Sequence, residues 1–452
     1  MQDKMYEILE LAVKGEEVKE QKYEEMVNET TLELIDTYDI YFDHENLVPS
    51  DFKMADRIYA AAIELIIKVG IFCTDTKKII KIENEDINKI LHNTRSSYNF
   101  GRDMDSFPLN FRNVGEKSMP AIMGGPAGTL ISPELFIPIH RSYAKCYSIN
   151  GIAPGALTGE TPPHLKNTPA EIFETHKAID LLSEACALEN RSGIGSFSPP
   201  CISGINSALS ISNRKYIKQG NFHEICQPPG LKTSFNSISQ AIHCTDMEIP
   251  YHCDQTMILE DTSPYSTEQE VIKIVAEAIK SKVILSSHIY FKFPIHWKTK
   301  ASSNLYTLWP SFMASMAISR NTKYLHGSNI TNSAGPCTSM MMYETAVQTI
   351  GNVICGTDLI SGPIPNAGYA LDHAGGLDAE FMSNIADLAT MLSIDDANYL
   401  CLELYSRYMD KLNKPDYGKA FSECYDLKKI EPSREYNEVY ESVMGDIYDL
   451  MG

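Results

Sequence analysis

Long apolar runs are missing from this 452-residue chain. The longest, YAAAIELIIKVGIFC from Tyr59, is interrupted by Glu64 and Lys68 and falls short of the ~20 residues a helix needs to cross a bilayer. No membrane span is expected. Positive charge is scarce as well: 39 Lys and Arg stand against 59 Asp and Glu, a formal net charge of -20. Phosphate backbones are held by clustered cations, so this balance excludes nucleic acid as a partner. The eleven cysteines contain no C-x-x-C pair, which removes a zinc ribbon and gives no disulfide framework. The opening MQDKMYEILE has neither the basic nor the apolar region of an export signal, which with reduced thiols reads as a cytoplasmic protein. Internal repeats and low-complexity linkers are absent too.

What remains is an ordinary globular composition, 43% apolar and 22% charged. Residues 1–117 carry helical periodicity, clearest at Met54, Ile58, Ala61, Leu65 and Val69, with Ser50 expected as N-cap. From Pro120 short apolar runs alternate with helices: PAIMGG, YSINGIAPG, GIGSF, QAIHCTD, KVILSSHIY and KYLHGSNI. Thr168-Pro169 and Ser132-Pro133 open two of the helices, and Gly335-Pro336 is expected to open the one holding Met340, Met341 and Ala346. Serial β-then-α units mean a parallel sheet under helices, open or closed. GGPAGT lacks the G-x-G-x-x-G spacing of an open nucleotide-binding sheet. The runs end in small or polar residues, His243 to Asp246 and His326 to Asn329 among them, as the C-terminal rim of a barrel would. The expected fold is therefore an α/β TIM (β/α)8 barrel over 118–400, with a helical extension over 1–117 and C-terminal helices over 401–452.

The densest cluster of reactive side chains is AIHCTDMEIPYHCDQ, residues 241–255. Adjacent His-Cys pairs cannot both reach one ion, because alternate strand residues face opposite sides. No metal is expected, and polar lining of a cavity is the preferred reading. His223 and Glu224 precede a Gln227-Pro228-Pro229-Gly230 turn, and Glu224 with Asp254 would put two carboxylates at one cavity, for acid/base work or to hold a cation. Lys292, between aromatics in IYFKFPIHW, is the residue a Schiff-base aldolase or lyase would use. The same lysine can instead face outward under a helix.

GIGSFSPP, Gly193 to Pro200, is odd: glycine at alternate positions, then one large ring before a double proline. Its meaning comes from a resemblance. GIFCTDTKKIIKI, VGEKSMPAIMGGPAGTLISPELFIPIHRSYA, AGPCTSM and FSECYDLKKIEPSREYNEVY are similar to the monomethylamine methyltransferases, pyrrolysine-containing enzymes of methylotrophic methanogenesis, from about residue 51 to about residue 440. The resemblance implies a TIM barrel with a helical extension, hexameric assembly, and transfer of a methyl group from methylamine to Co(I) of a separate corrinoid protein. It places the pyrrolysine position on Phe197. The two glutamates and the glutamine around that residue fall on Glu224, Asp254 and Asn329, two of them one methylene shorter.

Phenylalanine has no electrophile to capture an amine, so a quaternary ammonium, whose nitrogen already leaves as a neutral, becomes the expected donor. Glu224, Asp254 and Asn329 are then the expected catalytic group, with Phe197, His223 and Gln255 binding substrate. Phe197 either walls an open cavity or plugs it. In ALDHAGG, Asp372 and His373 are adjacent and lack the offset of a corrinoid-binding D-x-H-x-x-G, so no cofactor is expected on this chain and cobalt comes with the partner. Two other readings stay open: a Schiff-base lyase or aldolase using Lys292, and a non-catalytic relic that only binds a corrinoid protein.

Overall fold

The computed structural model describes residues 2–159, 162–166, 168–200, 204–212, 216, 220–260 and 266–451. In it the apolar segments after Pro120 lie side by side as parallel strands: β1 (Ala121–Gly124), β2 (Gly151–Ile152), β3 (Gly195–Ser196), β4 (His223–Cys226), β5 (Tyr251–Leu259), β6 (Ile289–His296), β7 (Leu325–Thr331) and β8 (Leu359–Ile364). Their order is β4-β5-β6-β7-β8-β1-β2-β3. Phe197, just past β3, pairs in parallel with Phe222, just before β4. The Phe222 N–H donates to Ser196 O and the Ser198 N–H to Phe222 O, both at 3.0 Å. That bridge joins the two end strands and closes the ring, leaving no sheet edge.

A helix follows each strand, from Pro133–Ala144 after β1 to Gly376–Ala389 after β8. Those after β5, β6 and β7 are buried on almost every face, because they sit between the barrel and further helices. Helix Phe52–Val69 of the N-terminal extension lies on Ser266–Leu285 and Leu305–Asn321, and Ile394–Ser406 and Arg434–Met451 lie on Ser339–Ile354. No helix among the described residues is long and apolar enough to cross a membrane.

Four local expectations are corrected. In KVILSSHIY the first four residues end helix Ser266–Leu285, and only Ile289 and Tyr290 belong to a strand. QAIHCTD is not a strand: it belongs to helix Phe235–Asp246, whose buried Ile238, Ala241 and Cys244 recur every three residues. His243 to Asp246 therefore sit at a helix end and not on the barrel rim. The helix at Phe52–Val69 is capped by Asp51, whose carboxylate accepts from the Met54 N–H, one residue past Ser50. The methionine-rich helix begins at Ser339 with Thr338 as its cap, after the Gly335-Pro336 turn.

The N-terminal end of the barrel is stoppered. A hairpin of strands Ser97–Phe100 and Phe107–Asn110 inserts Phe100 and Leu109 into an apolar cluster with Ala121, Ile289, Leu325 and Leu359, which begin or lie near the start of their strands. Phe100 stacks on Phe222 (4.8 Å between centroids) and meets Phe197 edge-on (5.8 Å). The alternating glycines of GIGSFSPP make room for this hairpin. A Cβ on Gly195 would stand 2.6 Å from Cε1 of Phe100 and 2.7 Å from the Gly101 backbone nitrogen. Gly195→Ala is therefore expected to destabilise the protein by about 1–3 kcal/mol, the usual cost of overpacking. Urea denaturation measures it, and an unchanged midpoint would show that the hairpin gives way freely.

Candidate active site at the barrel mouth

Strand alternation decides which residues reach the interior. On β5, His252, Asp254 and Thr256 face the mouth; on β6, Phe291 and Phe293; on β4, Glu224 and Cys226; on β7, Asn329. With Phe197, Ser198 and Ser361 they line a cavity of about 170 Å³ to which all eight strands or the loops after them contribute. Register sets the neighbours: Glu224 is level with His252, Cys226 with Asp254, and Asp254 with Phe291. Gly327, paired with Phe291, leaves that ring the space a side chain would take.

Phe197 is 4% exposed and forms the cavity floor above the hairpin stopper. Its ring lies 4.2 Å from the His252 imidazole and 5.4 Å, edge-on, from Phe291. The space above it is open, so the ring is a wall of a cavity and a part of the core at once. A cavity of about 150 Å³ suffices for benzene, and a compact four-carbon cation is of similar size.

The polar side is formed by Glu224, Asp254 and Asn329. Asn329 Nδ2 donates to Asp254 Oδ2 at 2.9 Å, and Cys226 Sγ donates to Glu224 Oε1 at 3.2 Å. Burial pushes the Glu224 carboxyl up, with the Cys226 hydrogen bond opposing it. Asp254 is held well above its usual range, first by burial and then by the neighbouring Glu224 charge, with Asn329 opposing. Two carboxyls in one enclosure that resist ionising together are repaid by a cation. His252 stays neutral, its pKa pushed down to about 3 by burial, with Nε2 3.9 Å from the Glu224 carboxylate.

The structure thus brings together four of the six residues expected from the sequence: Phe197, Glu224, Asp254 and Asn329. The other two stand outside the cavity. His223 is fully buried behind β4, bonded to Ser198 Oγ (3.2 Å) and Gln240 Oε1 (3.0 Å). Gln255 points to the outer face of β5, where its Nε2 donates to Pro228 O at 3.2 Å. Both alternate with inward neighbours and so are turned away. His252 lines the cavity, as expected of the 241–255 cluster; Cys226, Phe291 and Phe293 carry no signal of their own in the sequence, although stepping two residues from Glu224 reaches Cys226.

Lys292 also faces outward. Its ammonium meets Ser311 Oγ (2.9 Å) and Asn352 Oδ1 (2.5 Å) on the helices behind β6, and burial lowers its pKa to about 7. A carbonyl substrate in the mouth cannot reach it, which removes the geometric basis of the Schiff-base reading. Asp372 and His373 serve a turn: Asp372 Oδ1 accepts from the Ser132 N–H and the His373 ring rests on Tyr417. Among the described residues no group of three or more His, Cys, Asp or Glu is placed to hold a metal ion.

Comparison with known proteins agrees with this fold over nearly the whole chain. The family model described as monomethylamine methyltransferase MtmB matches residues 4–451. Monomethylamine methyltransferase MtmB1 of Methanosarcina barkeri is 28% identical over 455 aligned positions, covering 98% of this chain and 97% of that protein. MtmB of Methanosarcina mazei is equally similar, 28% identical with the same coverage. Among solved structures, the hydroxylamine complex of MtmB superposes with a TM-score of 0.94 at 27% identity, over 99% of this chain and 98% of that one. The Methanosarcina barkeri MtmB structure gives 0.93 at 27% identity over the same shares.

Proposed function

This chain belongs to the monomethylamine methyltransferase family, and from that membership we propose that it moves a methyl group from a small cationic methylated amine, above all a quaternary ammonium, to Co(I) of a corrinoid carried by a separate protein, with Phe197 standing where the family has pyrrolysine. The enzyme is a methyltransferase of the corrinoid-dependent kind; the donor, the partner and the loss of pyrrolysine are the proposal. One observation carries it: an open cavity with an aromatic floor and wall faces two carboxyls that share one enclosure.

Transfer forms a bond between the methyl carbon and cobalt, which supplies the electron pair, and breaks the C–N bond with its pair left on nitrogen. A quaternary ammonium then departs as a neutral tertiary amine with no proton to move. Phe197 and Phe291 offer their ring electrons to the onium, about 0.5–2 kcal/mol of stabilisation for a partly desolvated cation. Glu224 and Asp254 supply the counter-charge, and Asn329 holds Asp254 in place. Cobalt would approach from above the rim, the side the hairpin leaves open.

The test combines the purified protein with a reduced corrinoid protein and a panel of monomethylamine, trimethylamine, tetramethylammonium and choline, followed by the absorbance change of cobalt methylation. Quaternary donors are expected to react and monomethylamine to fail. Methylation from monomethylamine alone, or from no donor, would overturn the reading. Phe197→Leu keeps the bulk and removes the ring, and is expected to raise KM for the quaternary donor about 2- to 30-fold with kcat little changed.

A further inference from the structure

Resting on that reading, we propose that the mouth has a second compartment, which binds a hydrogen-bond-accepting oxygen on a short tail of the donor. The inner cavity, about 170 Å³, suffices for the methylated nitrogen. Across Ser198, Pro200, Glu224 and Cys226, which border both spaces, lies an outer lobe of about 330 Å³. A monomethylated amine would leave it empty.

The lobe is lined by hydroxyls, amides and prolines, with Glu224 at the border it shares with the inner cavity. Among the described residues no lysine or arginine borders either space. One of its donors, the Asn236 amide, is set by a chain of hydrogen bonds starting at buried His223. Ser198 Oγ meets His223 Nδ1 at 3.2 Å, and His223 Nε2 meets Gln240 Oε1, an acceptor only, at 3.0 Å. His223 therefore carries its proton on Nε2. Gln240 Nε2 in turn donates to Asn236 Oδ1 at 2.6 Å. With its carbonyl oxygen engaged, Asn236, exposed at the lobe's edge, has its N–H groups to offer to the lobe it lines. Gln227 also lines the lobe; it is 7% exposed, and neither its Oε1 nor its Nε2 has a partner. Buried amides are rarely left so.

The site therefore selects an onium whose tail presents a hydroxyl or carboxylate oxygen to the Asn236 amide.

The experiment compares tetramethylammonium (no tail), choline (hydroxyl) and glycine betaine (carboxylate) as donors to the reduced corrinoid protein, with the wild type and Asn236→Leu. At least one tailed donor is expected to exceed tetramethylammonium about tenfold in kcat/KM, and Asn236→Leu to remove that advantage while leaving tetramethylammonium unchanged. Which tailed donor leads tells hydroxyl from carboxylate. If tetramethylammonium matches both, or the variant slows all three equally, the second compartment has no such role. Should no donor methylate cobalt, the proposed reaction fails, and calorimetric binding to the protein alone decides the compartment. Choline or betaine binding weakened about tenfold by Asn236→Leu, at unchanged Tm, upholds it; equal binding, or none, refutes it.

Discussion

Replacing both mouth carboxyls by their amides, Glu224→Gln with Asp254→Asn, is expected to lower kcat/KM for a quaternary donor by about a thousandfold. A unit charge about 4 Å from a cation at an effective dielectric of about 20 contributes about 4 kcal/mol, and each 1.4 kcal/mol is a factor of ten. The single variants should lose far less, about tenfold, because the pair resists double ionisation. With one carboxyl made neutral, the other no longer faces a like charge and ionises more readily. The pH profile carries the same logic. Both carboxyls are raised, so cation affinity should climb as pH rises through their titration, and in Glu224→Gln the climb should move to lower pH as Asp254 loses its repelling neighbour. A double variant within a few-fold of wild type would show that charge is not what holds the donor.

The same shifts act on stability with the opposite sense. A carboxyl whose pKa is raised by folding binds more protons in the folded chain than in the unfolded one. Its contribution is therefore lost as pH rises from the ordinary carboxylate range up to the raised value. A bound cation should restore part of that loss, seen as a ligand-induced rise in Tm that grows with pH.

The largest expected loss of stability lies at the other end of the barrel. Asp358, fully buried just before β8, accepts the Arg112 N–H on Oδ1 (2.6 Å) and the His326 N–H on Oδ2 (2.8 Å). Arg112, 2% exposed, donates its guanidinium to the carbonyls of Ser118, Val353, Thr357 and Glu116, at 2.9–3.1 Å. The pair ties the segment before β1 to β7 and β8. Asp358→Ala leaves a buried guanidinium without its counter-charge and two N–H groups without acceptors, a defect of about 3–5 kcal/mol. A fall in the urea midpoint and in Tm measures it. Arg112→Met keeps both N–H groups on Asp358 but strips four carbonyls of their guanidinium donor and the carboxylate of its nearby counter-charge, and should cost a similar amount. A loss below about 1 kcal/mol in both would mean water replaces the missing partners.

The barrel was legible because its strands are short apolar runs between well-marked helix starts, and because Gly193, Gly195 and the double proline punctuate β3. QAIHCTD misled because three buried positions in a short polar helix offer as many alternations as a strand does. Glu224 is legible as an acidic residue beside a turn, Asp254 as part of the reactive cluster at 241–255, and Phe197 and Asn329 through family likeness. Pairing is what the sequence could not express: which strand lies beside which fixes that Asp254 faces Asn329 while Gln255 turns outward. His223 and His252 are alike in composition and burial, yet one lines the cavity and the other stands behind the wall, a difference set by where each falls in its strand's alternation.

The hairpin of residues 97–110 makes the barrel a blind well. Whatever enters through the rim must leave through the rim, and in the proposed reaction a protein bringing cobalt would have to cover the same opening. Donor would then have to be seated before the lid of that partner descends, and the spent amine could escape only once it lifts. Turnover at saturating donor would then be paced by the coming and going of a second protein, and tethering the two together permanently would stall the cycle after one methyl group.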